Sequence, residues 1–449
     1  MRCSYRITKK DKKLEEMKRP QWSSQLAFIV ASIGSAVGLG NIWRFPYIMG
    51  EYGGAVFLFI YLGLIFTICI LPLISELFLG KFFQRNIVSI FETINKKCSV
   101  FGWLCIVTAI LIPCFYFVVG GWILNYIYMS VANIQIADYT KYFSDFVASP
   151  AVQPFCTLLF LILTVMITYR GVNKGIEKAN NIMMPAFALI LIILAICSLN
   201  LPNAERGIEF MFRPDFSKVN IRMILIALGQ ALFTLSIGMG ALTTYGSYLK
   251  KDAKIVRLSY ILAFFDTLLA VLAGIMIFPA VFSFGLEPGA GPNLVFITMP
   301  HIFNQLPFGN IVSLLFFTLI FFAAITSGIS LLETSVLTFI EKFNMSREKA
   351  VLVLTGIITL ITVPTSLSYG ILKGMTFNGL NLFEFLDFTT SNILLPFNTL
   401  IICLIVGWVI KPSNMLITKR KWCFKILNFA LKYVIPVVLV SLMYFGLEG

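Results

Sequence analysis

The sequence has few charged residues and a single histidine, His301, in an apparent loop. Asp, Glu, Lys and Arg together make up 12% of its 449 residues, whereas soluble domains carry roughly 25%. One loop histidine argues against a histidine-based proton relay or metal site. The nine cysteines are scattered and show no CxxC or other ligand spacing, so neither a metal cluster nor a disulfide framework is indicated. No nucleophile lies beside a base either, and we do not expect an enzyme.

Hydrophobic residues are abundant, at 58% of the chain. A helix needs about 20 predominantly apolar residues to cross a bilayer. We therefore predict an all-α membrane protein with eleven transmembrane helices, spans 1 to 11. They are predicted over roughly 23–48, 53–80, 100–131, 152–170, 178–199, 220–248, 255–284, 309–342, 349–367, 381–410 and 426–446.

The net charge of +14 is placed in a way that argues against nucleic-acid binding. The basic residues lie in residues 1–22 and in alternate short loops between the apolar spans, where they set orientation in a bilayer. We expect residues 1–22 to be a cytoplasmic leader and the C-terminus, after an odd number of spans, to lie outside. The expected location is the plasma (inner) membrane, and the lipid bilayer is the expected partner.

Span 1 has an unusual middle. Glycines at 34, 38 and 40 lie within seven residues, and each costs about 1 kcal/mol relative to Ala in a helix interior. In a membrane, unpaired backbone groups are tolerated only where they are buried in protein or line a cavity. The pattern favours a broken helix that binds a solute and an ion. The alternative is that Gly34 and Gly38 only allow a neighbouring helix to approach closely.

Span 6 repeats this interruption, since SIGMG at 236–240 echoes SAVGLG at 35–40. The two lie five spans apart, so the second copy enters the membrane from the opposite side. Paired interruptions in two inverted halves indicate a transporter site near the bilayer midplane. We predict a first inverted repeat over 23–199, a second over 220–410, and a cytoplasmic loop with span 11 over 411–449.

Ionisable residues inside apolar spans are functional candidates by default. Arg44 follows the first interruption, and Asp387 in span 10 is its natural partner. Glu76 in span 2 is expected to accept backbone amides freed by the break in span 1. Arg19 and Glu341 form a second candidate pair, although both could be ordinary interface residues.

Four stretches make the resemblance specific: SAVGLGNIWRFPY, GGAVFLFIYL, ISELFLGK and FTLSIGMGALTTYGSY. They resemble the neurotransmitter:sodium symporter family, in particular its bacterial transporters of hydrophobic and aromatic amino acids. The resemblance runs over essentially the whole chain. It implies two inverted five-helix repeats with unwound spans 1 and 6, and Na⁺-coupled uptake by alternating access.

The resemblance also implies site residues, which group into two sodium sites, a substrate pocket and two gates. The first sodium would contact Ala36, Asn41, Thr234 and Asp266. The second would be held by Gly34, Val37, Ala323, Thr326 and Ser327. The substrate would lie against Ser35, Ala36, Leu39, Gly40, Ile112, Tyr116, Phe233, Thr234, Ser236, Met239, Ser327 and Leu331. The outer gate would be Arg44 with Asp387, and the inner gate Arg19 with Glu341, supported by Ser247 and Tyr248.

Two alternatives remain open for individual residues. Thr326 and Ser327 could bond back to the preceding helical turn instead of to sodium. Tyr116 could be a core aromatic instead of a hydrogen-bond donor to the substrate carboxylate.

The side-chain end of the expected pocket carries no charge, and Met239 there adapts to irregular shapes. We therefore expect a neutral, hydrophobic L-amino acid, including aromatic ones, and a possible homodimer. Another small zwitterion, or a sensor of the same fold that does not transport, are the alternatives. A channel is disfavoured because the flanks of both interruptions are apolar.

Asp266 generates the first testable prediction. In chloride-dependent relatives of the family an Asn stands at this position beside a bound chloride. A fixed carboxylate would repel a mobile anion at close range, so we expect uptake to be unchanged when chloride is replaced by gluconate. Transport by an Asp266→Asn variant with unchanged sodium dependence and no chloride requirement would contradict this.

Overall fold

A computed structural model describes residues 20–134, 136–250, 252–286, 293–410 and 427–448. Arg19, one half of the expected inner gate, lies outside these residues. Within the described part, nine continuous helices are long and apolar enough to cross a membrane. They are spans 2–5 (Ala55–Phe83, Lys96–Val131, Val152–Tyr169 and Val172–Leu199) and spans 7–11 (Ile255–Ser283, Gly309–Phe343, Arg347–Ser366, Leu382–Ile410 and Leu427–Phe445).

Spans 1 and 6 are broken, as the glycine pattern predicted. Span 1 consists of Gln25–Ala36 and Gly40–Glu51, which meet at 50°. Span 6 consists of Ile221–Thr234 and Ala241–Ser247, with residues 235–240 outside any helix. With these two, the described residues contain the predicted eleven spans.

The backbone conformation of the second break explains why glycines occur there. Gly238 and Gly240 have φ values of +90° and +74°, in a region that glycine enters without steric penalty. Ser236 also has a positive φ, of 54°, which is uncommon for a residue with a side chain. In the first break Val37 leaves the helix with an extended backbone, at ψ 98°.

Short elements connect the spans. Helices Ile87–Ile94, Tyr139–Ala148, Ala204–Phe212 and Leu294–Asn304 join neighbouring spans. An antiparallel pair of strands, Thr376–Phe377 with Leu380–Asn381, precedes span 10. His301, expected in a loop, lies on helix Leu294–Asn304, so that expectation is corrected.

Span 5 begins six residues earlier than the predicted start at Lys178. Its first turns, Val172–Glu177, form a π-helix after Gly171, which has a φ of +85°. The apolar pattern alone does not distinguish such wider π-helical turns from an α-helix.

Spans 3, 4, 8 and 9 pack against one another, and the first half of span 1 contacts spans 5, 7 and 8. Span 2 packs against the second half of span 6. Here Gly80 allows very close approach, since a Cβ at this position would lie 2.0 Å from the carbonyl oxygen of Thr243. Span 2 therefore fixes the position of the helix that follows the second break.

This contact yields a prediction. Gly80→Ala should lower the free energy of unfolding by about 1–3 kcal/mol, since the backbones of spans 2 and 6 must separate. Gly63→Ala in the same span is the matched control, because Gly63 is exposed and a Cβ added there would meet no other group within 4 Å. Thermal denaturation of the purified protein in detergent measures both. Equal melting temperatures for the two variants would contradict the close contact at Gly80.

Candidate functional site

The two breaks face each other and share hydrogen bonds. Ser236 Oγ donates to the carbonyl of Ser35 at 2.9 Å, and Gln230 Nε2 donates to the carbonyl of Gly40 at 2.8 Å. On the far side, Asn398 Nδ2 of span 10 donates to the carbonyl of Gly238 at 2.8 Å. Each break thus has part of its free backbone satisfied by polar side chains from other spans, which a membrane interior requires.

Glu76 accepts a hydrogen bond from the second break, not from the first. Its Oε1 accepts a hydrogen bond from the backbone N–H of Gly238 at 2.6 Å, and the side chain is fully buried. The expected bond to the amides of span 1 is therefore wrong. The reason is the packing at Gly80, which places span 2 against span 6 one turn from Glu76.

A pocket between the breaks gathers all twelve residues predicted to contact the substrate. Its wall also includes Gly38 and Ser330, which the sequence reasoning missed. The full lining is Ser35, Ala36, Gly38, Leu39, Gly40, Ile112, Tyr116, Phe233, Thr234, Ser236, Met239, Ser327, Ser330 and Leu331. No Asp, Glu, Lys or Arg is among them, so this lining favours an uncharged side chain on any ligand.

Tyr116 lies at the first break. The backbone N–H of Leu39 donates to its hydroxyl oxygen at 3.4 Å, and the same oxygen would lie 3.0 Å from a Cβ added to Gly38. The tyrosine therefore reaches the pocket with its polar end. This position supports the expected substrate contact over a purely apolar core role.

Three of the four residues expected at the first sodium site, Asn41, Thr234 and Asp266, form one polar cluster. Asn41 Nδ2 donates to Asp266 Oδ1 at 2.9 Å and to the Asp266 carbonyl at 3.2 Å. Thr234 Oγ1 lies 3.2 Å from the hydroxyl of Tyr61. Asp266 is fully buried, and its Oδ2 has no hydrogen-bond partner in the part of the chain that the structure describes. A buried carboxylate oxygen without a donor fits a cation.

The second expected sodium site consists of neutral oxygens from spans 1 and 8. Ser327 Oγ lies 3.4 Å from the Gly34 carbonyl oxygen and 3.2 Å from that of Ser35. Thr326 Oγ1 lies 3.2 Å from the Ala323 carbonyl oxygen and bonds back to Phe322 at 2.8 Å. Back-bonding uses the hydroxyl proton and leaves oxygen lone pairs free. Hard cations prefer such oxygen ligands.

The two residues of the expected outer gate are not paired in this conformation. The guanidinium of Arg44 stacks on Phe233, 4.8 Å from the ring centroid. Asp387 Oδ1 instead accepts from Ser391 Oγ at 2.9 Å. Among the ion pairs of the described residues, none joins Arg44 to Asp387. Their role as a gate stays a prediction.

On the predicted cytoplasmic side, the structure shows an ionic cluster that the sequence reasoning missed. Glu333 of span 8 is fully buried and forms an ion pair with Arg347 at the start of span 9. Arg347 Nη2 also donates to the Thr168 carbonyl at 2.7 Å. Tyr248 Oη donates to Glu333 Oε1 at 2.7 Å. A glutamate in the apolar run of span 8 was the available signal.

Glu341, the expected inner-gate acid, lies two turns further along span 8. Its Oε2 accepts from the backbone N–H of Asn86 at 3.0 Å and from Asn86 Nδ2 at 2.6 Å. Ser247 Oγ donates to the Thr244 carbonyl at 2.6 Å. Tyr248 thus contacts span 8 through Glu333, whereas Glu341 contacts the loop after span 2.

Comparison with known proteins identifies the family of this chain. The profile of the Sodium:neurotransmitter symporter family matches residues 19–145 and 151–448. The chain belongs to the sodium:neurotransmitter symporter family. Its members are sodium-dependent secondary transporters, not enzymes, and this chain is a multi-pass membrane transporter of that kind.

Individual relatives agree with the family assignment. An uncharacterized sodium-dependent transporter of Bacillus subtilis, YhdH, is 36% identical over 95% of this chain and 97% of its own length. One of Haemophilus influenzae is 35% identical over 94% of the chain and 97% of its own. A crystal structure of MhsT in complex with L-phenylalanine superimposes with a TM-score of 0.88 at 42% identity, covering 95% of this chain and 99% of that one.

The Glu333 cluster of this symporter gives a stability prediction. Arg347→Leu should lower the free energy of unfolding by about 3–5 kcal/mol, because it leaves the buried Glu333 carboxylate without its cation. Adding Glu333→Gln should recover part of this loss, since the unpaired charge is removed. Denaturant titration in detergent micelles measures both effects.

Lys342→Leu is the matched control, because Lys342 pairs with Glu92, whose side chain is 47% exposed. Such a pair contributes at most about 1 kcal/mol. A loss for Arg347→Leu no larger than that of the control would show that the Glu333 pair is not buried from water as described.

Proposed function

We propose that this symporter takes up a neutral, hydrophobic L-amino acid, aromatic ones included, together with Na⁺ and without chloride. The observation that carries the proposal is the pocket between the two breaks, lined by uncharged residues and flanked by two sets of cation-suited oxygens. The match to MhsT, whose structure contains L-phenylalanine, supports the same substrate class.

The pocket divides into a polar and an apolar part. Free backbone groups of span 1 and the Tyr116 hydroxyl would receive the α-amino and α-carboxylate groups. Ile112, Phe233, Met239 and Leu331 would surround the side chain. Met239 has no rigid shape and lets the pocket adapt to rings as well as branched chains.

Coupling follows from the position of the Asp266 cluster beside the pocket. A sodium ion bound by Ala36, Asn41, Thr234 and Asp266 would attract the substrate carboxylate, and binding of either one would favour the other by the same factor. Because Asp266 already supplies a negative charge there, no chloride is needed. The second sodium, at Gly34, Val37, Ala323, Thr326 and Ser327, would hold span 1 against span 8.

Alternating access would then expose the pocket to each side in turn. Spans 3, 4, 8 and 9 form the scaffold, and spans 1, 2, 6 and 7 move against it. Arg44 and Asp387 would close the outer side, and Arg19, Glu341 and Tyr248 the cytoplasmic side. The membrane potential adds about 2.3 kcal/mol per elementary charge per 100 mV to uptake.

Uptake by the purified protein in liposomes tests the proposal. With an inward Na⁺ gradient we expect labelled tryptophan, tyrosine, phenylalanine, leucine and methionine to accumulate. Replacing the external Na⁺ with choline should abolish this uptake. Preference for glycine, proline or a GABA-like ligand would show the pocket assignment to be wrong. Tight Na⁺-dependent binding without any uptake would favour the sensor alternative.

The same liposomes separate a transporter from a channel. Carrier flux saturates with substrate concentration and depends steeply on temperature, because every cycle needs a conformational change. Linear, weakly temperature-dependent flux would contradict alternating access.

A further inference from the structure

Asn180 of span 5 is a buried polar residue that none of the expected sites includes. Its side chain is 1% exposed. The amide Nδ2 donates to the Ile176 carbonyl at 2.9 Å, which fixes the orientation of the amide group. Its oxygen, Oδ1, must therefore point away from its own helix, and it has no hydrogen-bond partner among the residues the structure describes.

The unpartnered oxygen points at span 1. A Cβ added to Gly34 would lie 2.2 Å from Asn180 Oδ1, and 3.2 Å from both Thr326 Cβ and Met184 Sδ. The amide oxygen thus occupies the notch that the missing side chain of Gly34 leaves open. Gly34 and Thr326 are two of the residues proposed to hold the second sodium ion.

An amide oxygen buried without a donor is unfavourable. A leucine of similar size would fill the notch without this penalty. The chemistry that satisfies an oxygen among other neutral oxygens is a hard cation or the water it carries.

The depth of Asn180 indicates which face of the sodium site it serves. Span 5 starts at Val172, next to the basic loop that is predicted to be cytoplasmic. At 1.5 Å per residue, Asn180 lies about 12 Å above that start. The π-helical turns Val172–Glu177 occupy the stretch between. The contact with Gly34 places Asn180 at the level of the second-site residue of span 1 that lies nearest the predicted cytoplasmic end of that span.

We propose that Asn180 is a further sodium ligand, whose amide oxygen holds the ion on the cytoplasmic side of the second site as it leaves Gly34 and Thr326. This inference rests on the proposed function, because it assumes sodium at that site. It assigns to span 5 a direct contact with the transported ion.

Two near-isosteric substitutions test the inference in opposite directions. Asn180→Leu removes the oxygen, and Asn180→Asp gives it a charge. We expect equilibrium binding of ²²Na⁺ to the purified full-length protein to weaken about tenfold in the first and to tighten about tenfold in the second. In liposomes, the internal Na⁺ concentration that halves uptake should rise for Asn180→Leu and fall for Asn180→Asp.

Asn200→Leu and Asn200→Asp are the matched controls. Asn200 lies at the other end of the same helix and makes the same bond to the carbonyl four residues back, at 2.8 Å, but its side chain is exposed. Neither variant should change Na⁺ binding.

The outcomes separate the inference from the proposed function. A wild-type protein without Na⁺-dependent uptake overturns the proposed function. If wild-type uptake is normal but both Asn180 variants bind Na⁺ like the wild type, the inference is overturned. Equal weakening of Na⁺ binding in both variants would also overturn it, because a loss of packing alone would produce that result. If the leucine variant does not fold, Asn180→Asp decides alone, and Na⁺ binding no tighter than that of the wild type overturns the inference.

Discussion

The whole site depends on one constraint: backbone groups that leave a helix within a membrane must find partners inside the protein. Residues 37–39 and 235–240 interrupt two spans, and each interruption frees carbonyls and amides. Part of this need is met across the breaks, where Ser236 bonds to Ser35 and Gln230 to Gly40. Glu76 and Asn398 meet another part from spans 2 and 10. The breaks are thereby held face to face.

The oxygen atoms that keep free lone pairs after these bonds are made define the chemistry of the pocket. Side chains that donate to carbonyls, such as Ser236 and Gln230, leave second lone pairs on those oxygens. Asp266 keeps one carboxylate oxygen without a donor among the described residues, and Asn180 keeps its amide oxygen in the same way. An arrangement rich in acceptors and poor in donors is suited to cations. Substrate selection falls instead to the uncharged side chains that line the pocket between them.

The sequence predicted the two breaks, because clustered glycines in an apolar span disfavour a continuous helix. The motifs around the breaks also led to twelve residues that line one cavity. The sequence predicted side-chain partners less well where the hydrogen-bond or ion-pair partner is distant along the chain. Glu76 was paired with the wrong break, since its true partner depends on the close packing at Gly80. The Glu333–Arg347 pair and the free oxygen of Asn180 depend on the relative rotation of spans 4, 5, 8 and 9, which apolar patterns do not specify.

The hydrogen bonds on the predicted cytoplasmic side indicate which parts can move together. Trp22 Nε1 donates to the Tyr245 carbonyl at 3.0 Å, so the start of span 1 is tied to the second half of span 6. Both are also tied to other spans by carboxylates: Glu177 of span 5 accepts from Ser23, and Glu333 of span 8 accepts from Tyr248.

In the proposed alternating access, opening toward this side would leave the Trp22–Tyr245 contact intact while the two carboxylate contacts break. Arg347 also bonds to Thr168 and so keeps spans 4, 8 and 9 together during that change. If Tyr248 departs while Glu333 keeps its arginine, the buried charge is not left without a cation. Under the proposed mechanism the cluster would thus let the moving spans separate from the scaffold without the penalty of an unpaired carboxylate.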